Sequence, residues 1–251
     1  MVKKWDVTIP TLPDSDKRKV YVCLPQGYRD RSQRRYPVLY MFDGHNVFFD
    51  SDATYGKCWG MKEYMERSRK ELIVVAVECN HRGNGRLREY APFDFENDTL
   101  GAIRGEGKIY MDWLVGVLKP YIDQTYRTLP DRAHTLIGGS SMGGLMALYG
   151  ATAYNRVFQR AACLSPSLWV DRAQVLKMIA DARMENDTCI YMDYGSVEIY
   201  NHTDNAEALI ETAHLLLKKR VDLTLRIIPG GTHSEASWEK QIPIFMECLG
   251  I

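Results

Sequence analysis

A serine lies at the centre of a glycine-rich turn between a predicted strand and a predicted helix. Glycines stand two residues before and two residues after it in the run Gly139-Ser140-Ser141-Met142-Gly143. In a G-x-S-x-G turn the serine backbone is strained, and the glycines remove side chains that would collide at the bend. The start of a helix also carries partial positive charge, which favours the oxyanion formed during acyl transfer. We therefore predict that Ser141 is a nucleophile, whereas Ser140 is offset from the motif by one residue.

A serine nucleophile needs a base and a carboxylate that orients the base. His233 follows the last predicted strand, which is where the base is expected. The carboxylate is expected in the loop after the preceding strand, where Glu198 is our choice. Asp193 is interpreted as part of that strand and Asp204 as the N-cap of the next helix. Either would replace Glu198 if it, and not Glu198, lay within hydrogen-bond reach of His233. The order Ser141, Glu198, His233 is typical of α/β hydrolases.

Acyl transfer also needs two backbone N–H groups that point at the developing oxyanion. One is expected from Met142, directly after the nucleophile, and the other from His45, after the Asp43-Gly44 turn that follows the third predicted strand. The side chain of His45 is interpreted as a pocket wall, because no second His, Cys or carboxylate lies at a recognised metal-binding spacing. The sequence therefore predicts neither a metal site nor a cofactor.

The substrate pocket is expected at the carboxyl ends of the strands. Its predicted borders come from four loop residues, which are Trp59, Arg86, Tyr200 and His202. Each of these side chains could equally pack against or solvate a loop. Solvation is also the simplest interpretation of His81, His134 and His214, taken singly.

Eight apolar or alternating runs predict β-strands. The first two flank a Pro13–Asp16 turn that is typical of a hairpin. The other six show little alternation, which indicates strands covered on both faces. In chain order the eight runs are Trp5–Ile9, Val20–Leu24, Pro37–Phe42, Leu72–Val77, Thr135–Ile137, Ala161–Leu164, Cys189–Met192 and Leu223–Ile228.

Helical periodicity separates several of these runs. Apolar residues recur every three or four positions in Tyr110–Tyr126 and in Asn205–Lys219, and a further helix is expected from Ile242 onward. The polar segment Asn80–Gly107 is interpreted as an ordered loop beside the site. Alternation of strands and helices predicts an α/β fold with a mostly parallel sheet and an active site at the carboxyl ends of its strands.

Composition narrows the class of protein. The 251 residues include 45% hydrophobic and 25% charged residues, which suits one globular domain spanning 1–251. Lys+Arg 32 balance Asp+Glu 32, so we expect neither nucleic acid nor an anionic membrane as a partner. The sequence has no run resembling a secretory signal or a membrane span. Six scattered cysteines without a CxxC pair predict free thiols and a cytoplasmic location.

The chain resembles the putative esterase family of α/β hydrolases, which includes S-formylglutathione hydrolases, feruloyl esterases, enterochelin-type siderophore esterases and mycolyltransferases. The resemblance spans nearly the whole chain and depends on five segments, which are Tyr36–Asn46, Arg88–Pro92, Gly138–Leu145, Gly195–Glu198 and Gly231–Trp238. It implies an eight-stranded α/β-hydrolase fold. It also implies that the nucleophile, acid and base fall on Ser141, Glu198 and His233. Many members carry His-Gly where this chain has Asp43-Gly44, and feruloyl esterases often carry aspartate where it has Glu198.

These observations predict a serine carboxylic-ester hydrolase that forms an acyl-enzyme. The expected substrate is a small soluble ester, such as an acetyl or feruloyl sugar ester. An acyltransferase with the same triad and a non-catalytic binding protein on the same fold are the alternatives. The oligomeric state is not predicted.

Overall fold

The computed structural model describes residues 1–12, 17–30, 33–97, 100–198 and 202–251. Within them the chain alternates between strands and helices. The strands are β1 (Val2–Thr8), β2 (Lys17–Cys23), β3 (Val38–Met41), β4 (Ile73–Val77), β5 (Phe95–Asn97), β6 (Gly101–Ile103), β7 (Thr135–Ser140), β8 (Arg160–Leu164), β9 (Cys189–Gly195) and β10 (Asp222–Ile228). The helices are α1 (Met61–Ser68), α2 (Gly85–Glu89), α3 (Gly107–Trp113), α4 (Lys119–Thr125), α5 (Met142–Ala153), α6 (Arg172–Asp181), α7 (His202–Lys218), α8 (Glu235–Glu239) and α9 (Ile242–Cys248).

Eight of these strands form one sheet in the order β1-β2-β4-β3-β7-β8-β9-β10. Strands β1 and β2 pair antiparallel, β2 pairs antiparallel with β4, and every later pairing is parallel. All eight predicted strands are therefore confirmed, as is the mostly parallel sheet. Because the parallel strands end at the same edge, the loops after β3, β4, β7, β8, β9 and β10 emerge together.

Helices cover both faces of the sheet. On β3, Val38 and Tyr40 face one hydrophobic core, whereas Leu39 and Met41 face the other. This explains why the central strands read as continuous apolar runs. Strand β10 was also predicted to be covered on both faces, but Ile227 in this strand is 52% exposed. The reason is that β10 is an edge strand.

The predicted helices are confirmed, with one irregularity. The segment predicted as Tyr110–Tyr126 is formed by α3 and α4, which are joined through a π-helical turn at Leu114–Leu118. Pro120 follows this turn, and a proline removes one N–H donor from the regular helical pattern. Among the described helices, none is both long and apolar enough to cross a membrane.

The segment Asn80–Gly107 contains more regular structure than the loop prediction allowed. It includes α2 and the antiparallel pair of strands β5 and β6. Helix α2 is anchored by Glu89, which forms a buried ion pair with Arg18 of β2 and accepts a 2.8 Å hydrogen bond from the Asn80 backbone. This anchor fixes α2, and with it Arg86, beside the sheet edge.

Candidate functional site

Ser141 occupies the sharp turn between β7 and α5. Its backbone angles are φ 60° and ψ −125°, which is a strained conformation for a residue other than glycine. The turn is held at both sides, because Ser141 N donates to Leu164 O at 3.0 Å and Ser141 O accepts from Ser167 N at 3.0 Å. The strain is therefore maintained by the end of β8 and the loop that follows it.

Close packing explains the glycine after this turn. A Cβ atom on Gly143 would lie 2.9 Å from the Cβ of Phe42, so any side chain there would push α5 away from the end of β3. Helix α5 can start directly at Met142 only because this space stays free. The N–H of Met142 lies in the first turn of the helix, where no acceptor within the helix is available.

Glu198 and His233 form a hydrogen-bonded pair at the same edge of the sheet. Glu198 Oε2 lies 2.8 Å from His233 Nδ1. The carboxylate is buried, whereas 41% of the His233 side chain is exposed. The other carboxylate oxygen, Oε1, accepts hydrogen bonds from Gly195 N at 2.7 Å and from the Ser165 hydroxyl. The carboxylate is thus fixed at both oxygens and presents the imidazole toward solvent.

Two close contacts bring this pair together. A Cβ on Gly195 would lie 2.4 Å from Gly231 O, and Val197 N donates to that same carbonyl at 3.0 Å. The loops after β9 and β10 therefore touch through their backbones. Trp238 supports the pair from behind, because its ring packs edge-on against His233 at 5.0 Å and its Nε1 donates to Ser165 Oγ at 3.0 Å.

Of the two alternative carboxylates, the structure describes only that of Asp193. Asp193 is within β9, as predicted, and accepts hydrogen bonds from Tyr191 and from the Ser165 backbone. Asp204 was predicted to precede a helix as its N-cap, but α7 already begins at His202, so Asp204 lies in its first turn. Its side chain is outside the described part of the chain.

Ser141 and His233 do not form a hydrogen bond with each other in this structure. Ser141 Oγ instead lies 3.4 Å from Ser167 Oγ. Such contacts are often long in enzymes without substrate and tighten when substrate binds. The sequence analysis did not predict a role for Ser167, because this residue is not part of a recognised sequence motif.

The turn after β3 is built around an ion pair in which Asp43 is buried and Arg86 is partly exposed. Asp43 has φ 54° and precedes a 3-10 turn at Gly44–Asn46. Arg86 binds both of its carboxylate oxygens, at 2.7 and 2.8 Å. Burial alone would raise the pKa of Asp43, but the charge and hydrogen bonds of Arg86 lower it below its usual value. A second contact, from Asn46 Nδ2 to Glu235 Oε1 at 3.0 Å, ties this turn to the loop that carries His233.

The predicted pocket borders are only partly seen. Trp59 is 2% exposed and packs against Trp238 and Phe245, so it belongs to the core and does not form an open wall. Its burial depends on residues far along the chain, which explains the error. Arg86 lies at the site edge but is engaged by Asp43. Tyr200 is outside the described residues, as is the side chain of His202.

One exposed aromatic residue in the loop that contacts Ser141 was missed by sequence reasoning. Trp169 follows Ser167 by two positions, is 43% exposed and packs edge-on against Phe95 of β5 at 6.1 Å. An exposed tryptophan in the loop after β8 would have been the available signal.

The structure also brings together His45, Cys79 and His81, whose potential ligand atoms all lie within 4.8 Å of one another. The sequence interpretation treated these residues separately, because no metal-binding spacing connects them.

Comparisons with known proteins agree on the family. A family model described as "Putative esterase" matches residues 14–245. Esterase Rv1288 from Mycobacterium tuberculosis is 28% identical over 143 residues, which are 57% of this chain and 28% of that protein.

Two solved structures are similar over nearly the whole chain. One is a ferulic acid esterase with a TM-score of 0.69 at 19% identity, and the match covers 98% of this chain and 99% of the esterase chain. The other is an IroE-like serine hydrolase from Shewanella oneidensis with a TM-score of 0.75 at 19% identity, and the match covers 100% of this chain and 88% of the hydrolase chain. The chain belongs to the putative esterase family, and it is a serine-type esterase with the α/β-hydrolase fold.

Asp193 gives the site a testable pH dependence. Burial raises its pKa from 3.8 to about 7, although hydrogen bonds from Tyr191 and Ser165 oppose the shift. Because the folded protein favours the protonated form, the stability contributed by this group is complete below about pH 4 and is lost as the pH rises to about 7. We expect Asp193→Asn, which cannot ionise, to gain free energy of unfolding relative to the wild type between about pH 5 and pH 8.

Urea unfolding at several pH values measures this difference. Asp187→Asn is the control, because desolvation of Asp187 is outweighed by its hydrogen bond with Arg132, so that its pKa is lowered. Its effect should therefore stay constant over the same range. A constant difference for Asp193→Asn as well would contradict the prediction.

Proposed function

We propose that this esterase acts by two-step acyl transfer with Ser141 as nucleophile, His233 as general base and Glu198 as the orienting acid. The observation that carries the proposal is the 2.8 Å contact between Glu198 Oε2 and His233 Nδ1, at the sheet edge where Ser141 is held in its strained turn. The carboxylate keeps the proton on Nδ1 and leaves a lone pair on Nε2. Nε2 is then the atom that takes the proton from Ser141.

The reaction follows from these positions. The Ser141 alkoxide attacks the ester carbonyl, and the protonated His233 gives its proton to the departing alcohol. A water molecule, deprotonated by His233, then attacks the acyl-enzyme, and the protonated His233 returns its proton to Ser141 Oγ as the acid is released. This sequence restores Ser141 and the imidazole, so no cofactor is consumed.

The oxyanion of each tetrahedral intermediate needs two donors. Met142 N–H and His45 N–H are proposed, because each lies in the first turn of a helix and has no helical acceptor. The ion pair between Asp43 and Arg86 fixes the second donor, since it holds the residue just before the turn.

Ser141→Ala tests the nucleophile. We expect a loss of about 10⁶-fold in kcat on p-nitrophenyl acetate and butyrate, because no other group can form the acyl-enzyme. Ser140→Ala is the matched control, since Ser140 is the adjacent hydroxyl in the same turn and should keep most of the activity. Retained activity in Ser141→Ala would refute the assignment.

Product analysis distinguishes hydrolysis from acyl transfer in the same assay. The proposed hydrolase yields free acid at a rate that an added alcohol barely changes. Predominant transfer of the acyl group to that alcohol would identify an acyltransferase with the same triad.

Glu198→Gln tests the acid. The amide keeps the size of the side chain but can donate to Nδ1 and so favours the wrong imidazole tautomer, and we expect kcat to fall by about 10⁴-fold. Asp193→Asn is the control, because Asp193 does not contact His233, and it should retain activity near neutral pH. The assignment fails if the control loses as much activity as Glu198→Gln does.

We propose a small soluble ester with an aromatic or sugar group as the substrate. The exposed ring of Trp169 supports this choice, since it lies in the loop that contacts Ser141 through Ser167. An exposed indole gives a flat apolar surface on which an aromatic ring or a sugar ring can stack. Similar structures include a ferulic acid esterase and an enterobactin esterase from Shigella flexneri in the presence of 2,3-dihydroxy-N-benzoyl-serine, so both titles name a compound with an aromatic ring.

Trp169→Ala tests the substrate class. Loss of one stacking contact should lower kcat/KM for methyl ferulate by about tenfold, while p-nitrophenyl acetate with its small acyl group should change little. Tyr121→Ala is the control. Tyr121 is a similarly exposed aromatic residue, but it packs against Trp5 of the edge strand β1, in a different part of the protein from Trp169. Equal effects on both esters would argue against an aromatic acyl group at Trp169.

We also propose that the protein works in a reducing compartment such as the cytoplasm. All six cysteines are free thiols, and four of them are buried. Free thiols of this kind persist where glutathione and thioredoxin keep cysteines reduced.

A further inference from the structure

Two neighbouring loops bring three potential metal ligands together. His45 lies in the turn after β3, whereas Cys79 and His81 lie in the loop after β4. Strands β3 and β4 are parallel neighbours, so both loops leave the sheet at the same edge. The two imidazole rings meet edge to face with their centroids 4.5 Å apart. One ligand atom from each of the three residues lies within 4.8 Å of the other two.

The hydrogen bonds of the two histidines leave the same nitrogen of each ring available. His45 Nε2 contacts Thr54 Oγ1 at 3.0 Å, and His81 Nε2 contacts Glu78 Oε1 at 3.1 Å. An N–H donated to these oxygens leaves a lone pair on Nδ1 of both rings. Histidines that bind metals have this arrangement, because an oxygen acceptor on the far nitrogen fixes the tautomer and the ring orientation.

His45 Nδ1 is the second, independent indication of a ligand. His45 is 4% exposed, and its Nδ1 is buried without a hydrogen-bond partner. Buried polar atoms are nearly always satisfied, so an unsatisfied one beside a thiol and another imidazole needs an explanation. A metal ion bound by all three groups would satisfy it.

Cys79 supplies the third ligand. Its side chain is buried, and burial raises the pKa of its thiol well above the usual value, with Asp43 contributing in the same direction. A divalent ion would replace the thiol proton, and the carboxylate of Glu78 beside His81 adds negative charge that favours a cation.

We propose that His45 Nδ1, Cys79 Sγ and His81 Nδ1 bind one divalent transition-metal ion of the zinc class. Mixed nitrogen and sulfur ligands favour zinc over magnesium or calcium, which prefer oxygen. Water occupies the fourth position of a tetrahedral site, on the side where His81 is exposed. Binding converts the Cys79 thiol to a thiolate, and its proton passes to solvent. The ion would join the turn of His45 to the loop after β4.

Cobalt(II) is a direct spectroscopic probe of this site. We expect the purified full chain, freed of metal by a chelator, to bind one equivalent of Co²⁺ with a thiolate-to-cobalt charge-transfer band. Competition with Zn²⁺ should remove the band. No esterase assay enters this test, so its outcome does not depend on the proposed triad or substrate.

His81→Ala is the decisive variant, because half of the His81 side chain is exposed and its removal leaves the core intact. We expect Co²⁺ affinity to fall by at least about 100-fold. His134→Ala is a matched control, since His134 is also exposed and also paired with a carboxylate three residues earlier. It should bind Co²⁺ as the wild type does. Cys79→Ala should abolish the charge-transfer band.

Three outcomes would overturn the proposal. The first is the absence of a charge-transfer band in the wild type, which would mean that Cys79 is not a ligand. The second is an equal loss of affinity in His81→Ala and His134→Ala, which would indicate binding at scattered surface histidines. The third is unchanged affinity in His81→Ala.

Discussion

The strained backbone of Ser141 is the constraint on which the site depends. A φ of 60° at a serine persists only when the surroundings hold it, and here the end of β8 does so through Leu164 O and the following loop through Ser167 N. That loop carries a second strained residue, Ser165, with φ 42°. Ser165 binds Glu198 with its hydroxyl and Asp193 with its backbone N–H. One loop therefore contacts both the turn of Ser141 and the carboxylate that is hydrogen-bonded to His233.

The Glu198 carboxylate can be buried because hydrogen bonds to both of its oxygens replace the hydrogen bonds that it would make with water. It accepts hydrogen bonds from Gly195 N, from the Ser165 hydroxyl and from His233. Trp238 extends this network by donating to Ser165 Oγ. A longer acid than aspartate suits this geometry, because Glu198 begins after the β9 strand has ended and must reach back to the Gly195 backbone. The replacement of aspartate by glutamate is thus matched by the local path of the chain.

The sequence predicted what depends on local pattern and missed what depends on contacts between distant segments. The central strands of the main sheet were recoverable because buried parallel strands are apolar throughout. The predicted pairing of Glu198 with His233 matches the observed contact, since both loops follow neighbouring parallel strands. In contrast, the burial of Trp59 depends on Trp238 and Phe245, which no local pattern could reveal. The proximity of His45 to Cys79 likewise follows from strand order.

The Asp43-Gly44 turn shows how a change from the common His-Gly pattern can be accommodated. A buried carboxylate is costly unless a cation and hydrogen bonds accompany it. Arg86 supplies both in a two-pronged contact, and the backbone of Asp43 donates to Tyr90. Arg86 in turn depends on α2, whose end is fixed by the buried pair of Glu89 and Arg18. The segment that sequence patterns described as a loop is therefore required for the turn, because without α2 the charge on Asp43 would have no partner.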